Sequence, residues 1–571
     1  MSHSRSPSSR PPGSIHADFI KERLPSWAAS ASPIVLAELR SSLIRNNQSR
    51  HDLNELLGQV QNPEMFVRPL FRQALRRYLT GLDPDKTLFV REWRNEHLLG
   101  VYSTHDRTSE HSLFEAALQN FEPSEAESGG IEEGSGLFLQ TATGRVRAHT
   151  PPIIFAQFCR HLDLGSHYQR HLNEFFNPPP LSDALQTVPN PRQVIRAYEQ
   201  SSFESALHLA LLKGEISNEL YQQLFTLQID GQHPDLICNH LTINNVTLPG
   251  ILVIRDRHFD KSQILYTPHD PVAMFRRCPS MHLLEADLAV RLLSARYLEF
   301  FNRFVPLRYR GHLISITPPR IDSLPGGRPT TRVPARVDQA ISRTPITGNI
   351  FHSIAEHRIS HIRSDARVLV VPTADANLRG REARLQRFKE LGTSILFFAA
   401  SFIPVVGEVL FTVTGLQLIS SVYHGFAAWS RGDSDQALNE LLDVMDTVAL
   451  GLATSGAIKT AGFTATLVKV QLKNRSWRLW SPDLTPYRSP HELPEGLAAN
   501  AQGLYEHNQR HYLKLGKDVL HQVKRDPQTQ QWHVEHPLSE AAYTPALLTN
   551  GVGTWRHAHE AVKNWDDLRK L

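Results

Sequence analysis

The chain has 571 residues, 41% of them hydrophobic and 21% charged; it is too long for one hydrophobic core and too apolar for global disorder. Lys and Arg number 61 against 57 Asp and Glu, a net +4, so charge gives no argument for nucleic acid as a partner. Three cysteines, Cys159, Cys238 and Cys278, exclude a disulfide framework and point to folding in a reducing compartment.

Residues 1–14, "MSHSRSPSSRPPGS", lack an apolar run and are expected to be a disordered tail without a signal peptide of the usual kind. From residue 15 to 317 the pattern is that of a globular domain of mixed helices and short strands. "MFVRPLFRQALRRYLTGL" repeats apolar residues three and four apart, a helical period. "TLFVREWR" and "HLLGVYST" predict strands, and the acidic, Gly-rich stretch 122–136 predicts an exposed loop. "FESALHLALLKGEISNELYQQLFTL" predicts two helices turning at Gly214. "HLTINNVTL", "GILVIRD" and "QILYT" predict strands punctuated by Asn and Pro-Gly, and "HLLEADLAVRLLSARYLEFFNRFV" returns to helix.

Residues 318–349, rich in Pro, Gly, Thr and Arg, predict a linker or exposed loop. A helical region over 350–474 follows, and its apolar runs raise the main question. From Pro404 to Trp429 the fixed charge is Glu408 alone, with His424 the one histidine. As a helix, 405–429 would extend about 37 Å at roughly 1.5 Å per residue, longer than the ~20 residues a bilayer core requires. A second run, 447–469, has charges only at Lys459 and Lys469, and pairs Gly451 with Ser455 at a spacing that lets helices approach closely. The connector carries Asp433, Asp435, Glu440, Asp443 and Asp446 against Arg431, and Arg379, Arg381, Arg384, Arg387 and Lys389 precede the first run. The unit therefore reads as a helical hairpin, 391–429 and 447–469, marked by Pro404, Gly407, Glu408, Gly451 and Ser455. Two accounts of it stand open. It is either buried in a core with a solvated turn, or it enters a membrane once acid neutralises the tip, with the basic flank meeting anionic headgroups. The 29 histidines fit either ordinary surface usage or acid sensing. Residues 475–571 change to short aromatic-bearing segments with turn signals, a small β-rich module in which Trp477, Trp480, Trp532 and Trp555 pack strands rather than stack on bases.

Chemistry-bearing patterns are weak. In "GLATSGAIKTAG" two residues intervene between Gly456 and Lys459, which spoils a phosphate loop. "CRHLDLGSHYQRH" places His167 and His171 four apart, but Tyr168 stands where a metalloprotease carries its base. No catalytic, cofactor or metal residues are assigned, and no cofactor is expected.

The opening "FIKERLPSWAASASPIVLAELRSSL" resembles the dermonecrotic toxin N-terminal-like region of large proteins from Gram-negative bacteria. In order come "ILYTPHDPVAMFRRCPSMHLLEADLAVRLLSARYLEFFNRFVPL", "ARLQRFKELGTSILFFAASFIPVVGEVLFTVTGLQLISSVYHGFAAWSRGDSDQAL", "WRLWSPDLTPY" and "NGVGTWRH". The resemblance implies delivery or membrane engagement rather than chemistry. It also implies synthesis in a bacterial cytoplasm and export by a route that reads no signal peptide. The expected partners are an anionic target membrane or a protein of a host or competitor cell, and not nucleic acid. The expected fold is α+β, mainly helical. A secreted effector enzyme with an unrecognised site, or a soluble interaction scaffold, remains the alternative.

Overall fold

The computed structural model describes residues 33–93, 107–178, 190–257, 262–376 and 467–560. Within these, 142–143, 311–312, 319, 324–328, 334, 495, 516–518, 538, 540–541 and 551–552 are excepted; His16, Phe19, Ile20, 22–24, Trp27, 422–424, Ala437 and Leu441 are described in addition. The chain forms two compact units, residues 41–410 and residues 1–40 with 411–571.

Helices α1 (Pro33–Gly58) and α2 (Pro63–Tyr78) come first. Asn62 caps α2 by accepting from the Met65 N–H, Pro63 sits where no donor is needed, and Val67, Phe71 and Leu75 recur every four residues as its buried stripe. Strands β1 (Thr87–Trp93), β2 (Arg107–Ser112), β3 (Gly136–Thr141) and β4 (Gly144–Arg147) make an antiparallel sheet in the order β2-β1-β3-β4. Helix α3 (Leu113–Gln119) starts from a reciprocal Ser112–Glu115 capping box. Helices α4 (Pro152–Leu162) and α5 (Leu164–Phe176) follow. An aromatic core of Phe71, Phe89, Phe114, Phe121 and Phe155 joins this sheet to its helices.

Helix α6 (Pro191–Leu212) and α7 (Asn218–Asp230) are separated by Gly214 at φ +69°, the turn that the sequence predicts. A five-stranded sheet comes next, built on β5 (Leu236–Ile243), β6 (Val246–Asp256), β7 (Gln263–Tyr266) and β8 (Phe275–Cys278). Asn244 and Asn245, at φ +47° and +63°, make the two-residue turn between β5 and β6, the turn type whose twist suits a hairpin. Helices α8 (Met281–Leu292) and α9 (Ala295–Phe301) cover the sheet through Leu284, Leu288 and Phe301, which share a core with Leu241, Val253 and Leu265.

The expected linker is partly sheet. Residues 318–349 include β10 (Arg320–Ser323), β11 (Pro329–Val333) and β12 (Arg336–Val337), which pairs with β9 (Ile316–Thr317). They also include β13 (Ile341–Pro345), which pairs antiparallel along the outer edge of β5 from Ile341 opposite Ile243 to Pro345 opposite Asn239. Pro345 ends that strand, at an edge where a missing N–H costs nothing. Helix α10 (Ile350–Leu369) then packs on α5, α6 and β6, and α11 (Thr373–Ala376) follows. The acidic loop 122–136 is likewise anchored: Glu125 is buried and paired with buried Arg91.

In the other unit the described residues are mainly strands. Tyr423–His424 (β14) lies parallel to β16 (Trp477–Trp480), which pairs on its other side with β15 (Val468–Gln471). Strands β17 (Leu504–His507), β18 (Arg510–Leu515), β19 (Val519–Arg525) and β20 (Trp532–Val534) form a meander, and β21 (Leu547–Thr549) pairs with β22 (Trp555–His557). The fold is thus mixed α/β with several small sheets. Two described pieces of the predicted hairpin helices are strand. Tyr423 pairs with Leu479 and His424 with Trp480, and Val468 and Val470 alternate along β15, so sheet partners override the helical expectation there.

Candidate functional site

Most residues singled out in the sequence lie outside the described residues: Pro404, Gly407, Glu408, Gly451 and Ser455 of the hairpin; Asp433, Asp435, Glu440, Asp443 and Asp446 of its tip; Arg379, Arg381, Arg384, Arg387 and Lys389 of its flank. The tail 1–14 and the strand expected at "HLLGVYST" do too. What is described of the apolar stretch is the piece around His424. It is held in a cluster of histidines and aromatic rings.

β16 positions the centre of this cluster. Its last two residues, Leu479 and Trp480, are both buried, so both faces of the strand are covered there, and Trp480 shares a core with Tyr487, Val470, Leu513 and Val534. Around the indole stand Tyr543 at 5.1 Å, His559 at 5.8 Å and His557 at 6.3 Å between ring centroids. Tyr487 donates its hydroxyl proton to the Tyr543 carbonyl at 2.7 Å and stacks edge-on with His536. The Tyr543 hydroxyl meets His559 Nε2 at 2.8 Å. β14 enters beside these groups, with His424 opposite Trp480 in register. The backbone N–H of Tyr543 donates to His424 Nε2 at 3.0 Å. An amide N–H can only donate, so Nε2 must carry the lone pair and the imidazole is neutral with its proton on Nδ1. On the other flank, the Tyr423 hydroxyl donates to the Ala437 carbonyl at 3.3 Å.

Electrostatics favour that neutral form. Burial depresses the His424 pKa, and the nearby Arg478 and His536 add to the effect. Burial also lowers His536 and His559, and lowers His557 to about 4 with help from His559. Burial disfavours the charged imidazolium, and neighbouring positive groups disfavour it further.

The larger unit holds a second polar cluster, buried between α6, α10 and the five-stranded sheet. Glu199 accepts from Arg358 Nε at 2.9 Å, and both are almost fully buried. Tyr198 and His269 meet at 3.0 Å; His269 sits at φ +60°, with its pKa pushed down to about 4 by burial and by Arg358 and Arg303. Asp270 accepts from Tyr297 at 2.6 Å and Arg291 at 2.9 Å. His240 Nε2 contacts the Ser353 hydroxyl at 2.8 Å, and its ring lies edge-on to His357 at 4.3 Å. Burial and that neighbour push His240 down to about 3.

Other sequence candidates resolve into structure. Cys159, Cys238 and Cys278 are buried and form no disulfide, and burial raises the thiols of Cys238, to about 12, and Cys278, which disfavours their nucleophilic thiolates. Asp163 caps α5, bonding the Ser166 and Thr373 N–H groups, while His171 stacks on Phe66 at 4.3 Å. Among the described residues no group of three or more His, Cys, Asp or Glu is placed to hold a metal, and no helix is long and apolar enough to cross a membrane. A groove of about 740 Å³ runs along α2 between Met65, Arg68, Arg72 and Arg76; none of the buried histidines lines it. Sequence reasoning missed the His424 cluster as a site. The available signal was a single histidine within an apolar run.

The larger unit is a mixed α/β body of helices packed with several small sheets. Residues 57–308 match the family model described as dermonecrotic toxin, N-terminal domain, which is what this segment of the chain is similar to. No curated protein and no solved structure matches the chain.

Proposed function

We propose that this is a toxin-like delivery protein that engages anionic target membranes on acidification and performs no chemistry of its own. The observation that carries this reading is the dermonecrotic toxin N-terminal domain over 57–308. The composition of the runs 391–429 and 447–469 supports it: two apolar stretches joined by five carboxylates that become neutral in acid. Export without a conventional signal peptide, and a host or competitor cell as destination, belong to the same proposal.

Dye release from anionic liposomes at pH 7 and pH 5 tests it. Release confined to pH 5, and lost in Asp443→Lys and Glu440→Lys, is the expected outcome. Negligible release at both pH values would remove membrane engagement from the proposal.

A further inference from the structure

We infer that His424 is a pH-operated clasp: its neutral imidazole holds β14 against the C-terminal sheet, and protonation lets that strand go. The clasp takes its purpose from the membrane-engaging reading above, but its chemistry stands apart from it.

The geometry is one of donor and acceptor. At neutral pH, His424 Nε2 is the acceptor for the Tyr543 N–H at 3.0 Å. A proton on Nε2 turns the acceptor into a donor, and two donors then face each other where a bond had been. Among the described residues, those around it offer the new charge little. From β16 come Arg478 and the face of Trp480; from the segment after β20 comes His536; from β22 and just beyond it come His557 and His559, the latter bonded to Tyr543. Arg478 is positive and the three histidines gain charge in the same direction, so acid adds like charges to one cluster. The strand held by this bond is short. β14 contributes two residues, Tyr423 and His424, to the parallel pairing with Leu479 and Trp480. Losing one attachment therefore matters more in a two-residue strand than the same loss within a long ladder. The pairing also interrupts the apolar run, because a chain extended at 423–424 is not a continuous helix over 405–429. Opening the clasp removes that interruption, the step that a membrane-spanning helix would need first.

Hydrogen exchange on the full chain in solution, followed by mass spectrometry between pH 7 and pH 4.5 and corrected for intrinsic exchange, tests this. The peptides to follow cover 422–424 and Tyr543, with β18 and β19 as internal standards. We expect protection at the first two to fall by about tenfold, the equivalent of one hydrogen bond, while β18 and β19 stay protected. H424Q presents an amide oxygen that accepts at every pH, so its protection should not change over the range. H424K should be open at pH 7 already. Unchanged wild-type protection across the range would overturn the clasp, as would an equal loss in H424Q; the wild-type and H424Q pair decides even if H424K folds poorly. No membrane is present in this measurement. Loss of protection without liposome dye release would thus refute membrane engagement and leave the clasp standing, and release without loss of protection would do the reverse.

Discussion

The two units handle buried polarity differently. In the larger one, opposite charges are buried in pairs, Glu199 with Arg358, Asp270 with Arg291 and Arg91 with Glu125, beside neutral imidazoles at His240 and His269. Among the described residues of the C-terminal unit, the core holds backbone amides and carbonyls with an imidazole and a phenol: the Tyr543 N–H donates to His424 and the Tyr487 hydroxyl to the Tyr543 carbonyl. The ion pair Lys524–Glu535 lies at that unit's surface. A carboxylate–guanidinium pair keeps its charge state across physiological and endosomal pH, whereas an imidazole that must stay neutral does not. The lesson is that a fixed frame and an acid-responsive element can be made from the same residue alphabet by choosing which groups are buried with a counter-charge.

The contrast is open to attack at several points. Arg358→Ala should do the most harm, because it leaves the Glu199 carboxylate buried without its partner; a loss of about 3–5 kcal/mol is expected in urea unfolding. Acidification comes next. The folded-state pKa of His240 is depressed, so the folded unit binds fewer protons than the unfolded chain. Its contribution is full above pH 6.5, is lost as pH falls, and levels off below about 3. Urea midpoints against pH should show that decline, with a slope reduced by up to one proton in His240→Gln. Gly165→Ala should cost about 1–3 kcal/mol, since the added Cβ would lie 2.2 Å from Pro372 N and 2.4 Å from Val371 C, backbone that cannot step aside. Tyr487→Phe, which removes one neutral hydrogen bond from the C-terminal core, should cost only about 1 kcal/mol. If it rivalled Arg358→Ala, the distinction between the two regions would fail.

Local chemistry was readable in the sequence and distant pairing was not. Asn62 before Pro63, the four-residue stripe Val67–Phe71–Leu75, and the Asn244–Asn245 turn each act within a few residues, and their elements form where the patterns predict. Gly165, in the first turn of α5, has its reason in the close approach of Val371 and Pro372, some two hundred positions away. β13 was hidden because Pro, Arg and Thr suit a loop until an open strand edge supplies partners. Of the candidate site, the sequence exposed only the lone His424; Tyr543, His536 and His559, which give it meaning, lie more than a hundred residues on.

The pairing of β13 with β5, and of Arg358 with Glu199, carries a consequence for where this protein can be cut. The family match closes at residue 308, yet strand β13 and helix α10 lie beyond it. A fragment trimmed to 57–308 would bare the backbone of β5, an invitation to stick to its own copies, and would strand a carboxylate in the dark. The smallest piece with a fair prospect of standing alone runs on through Ala376.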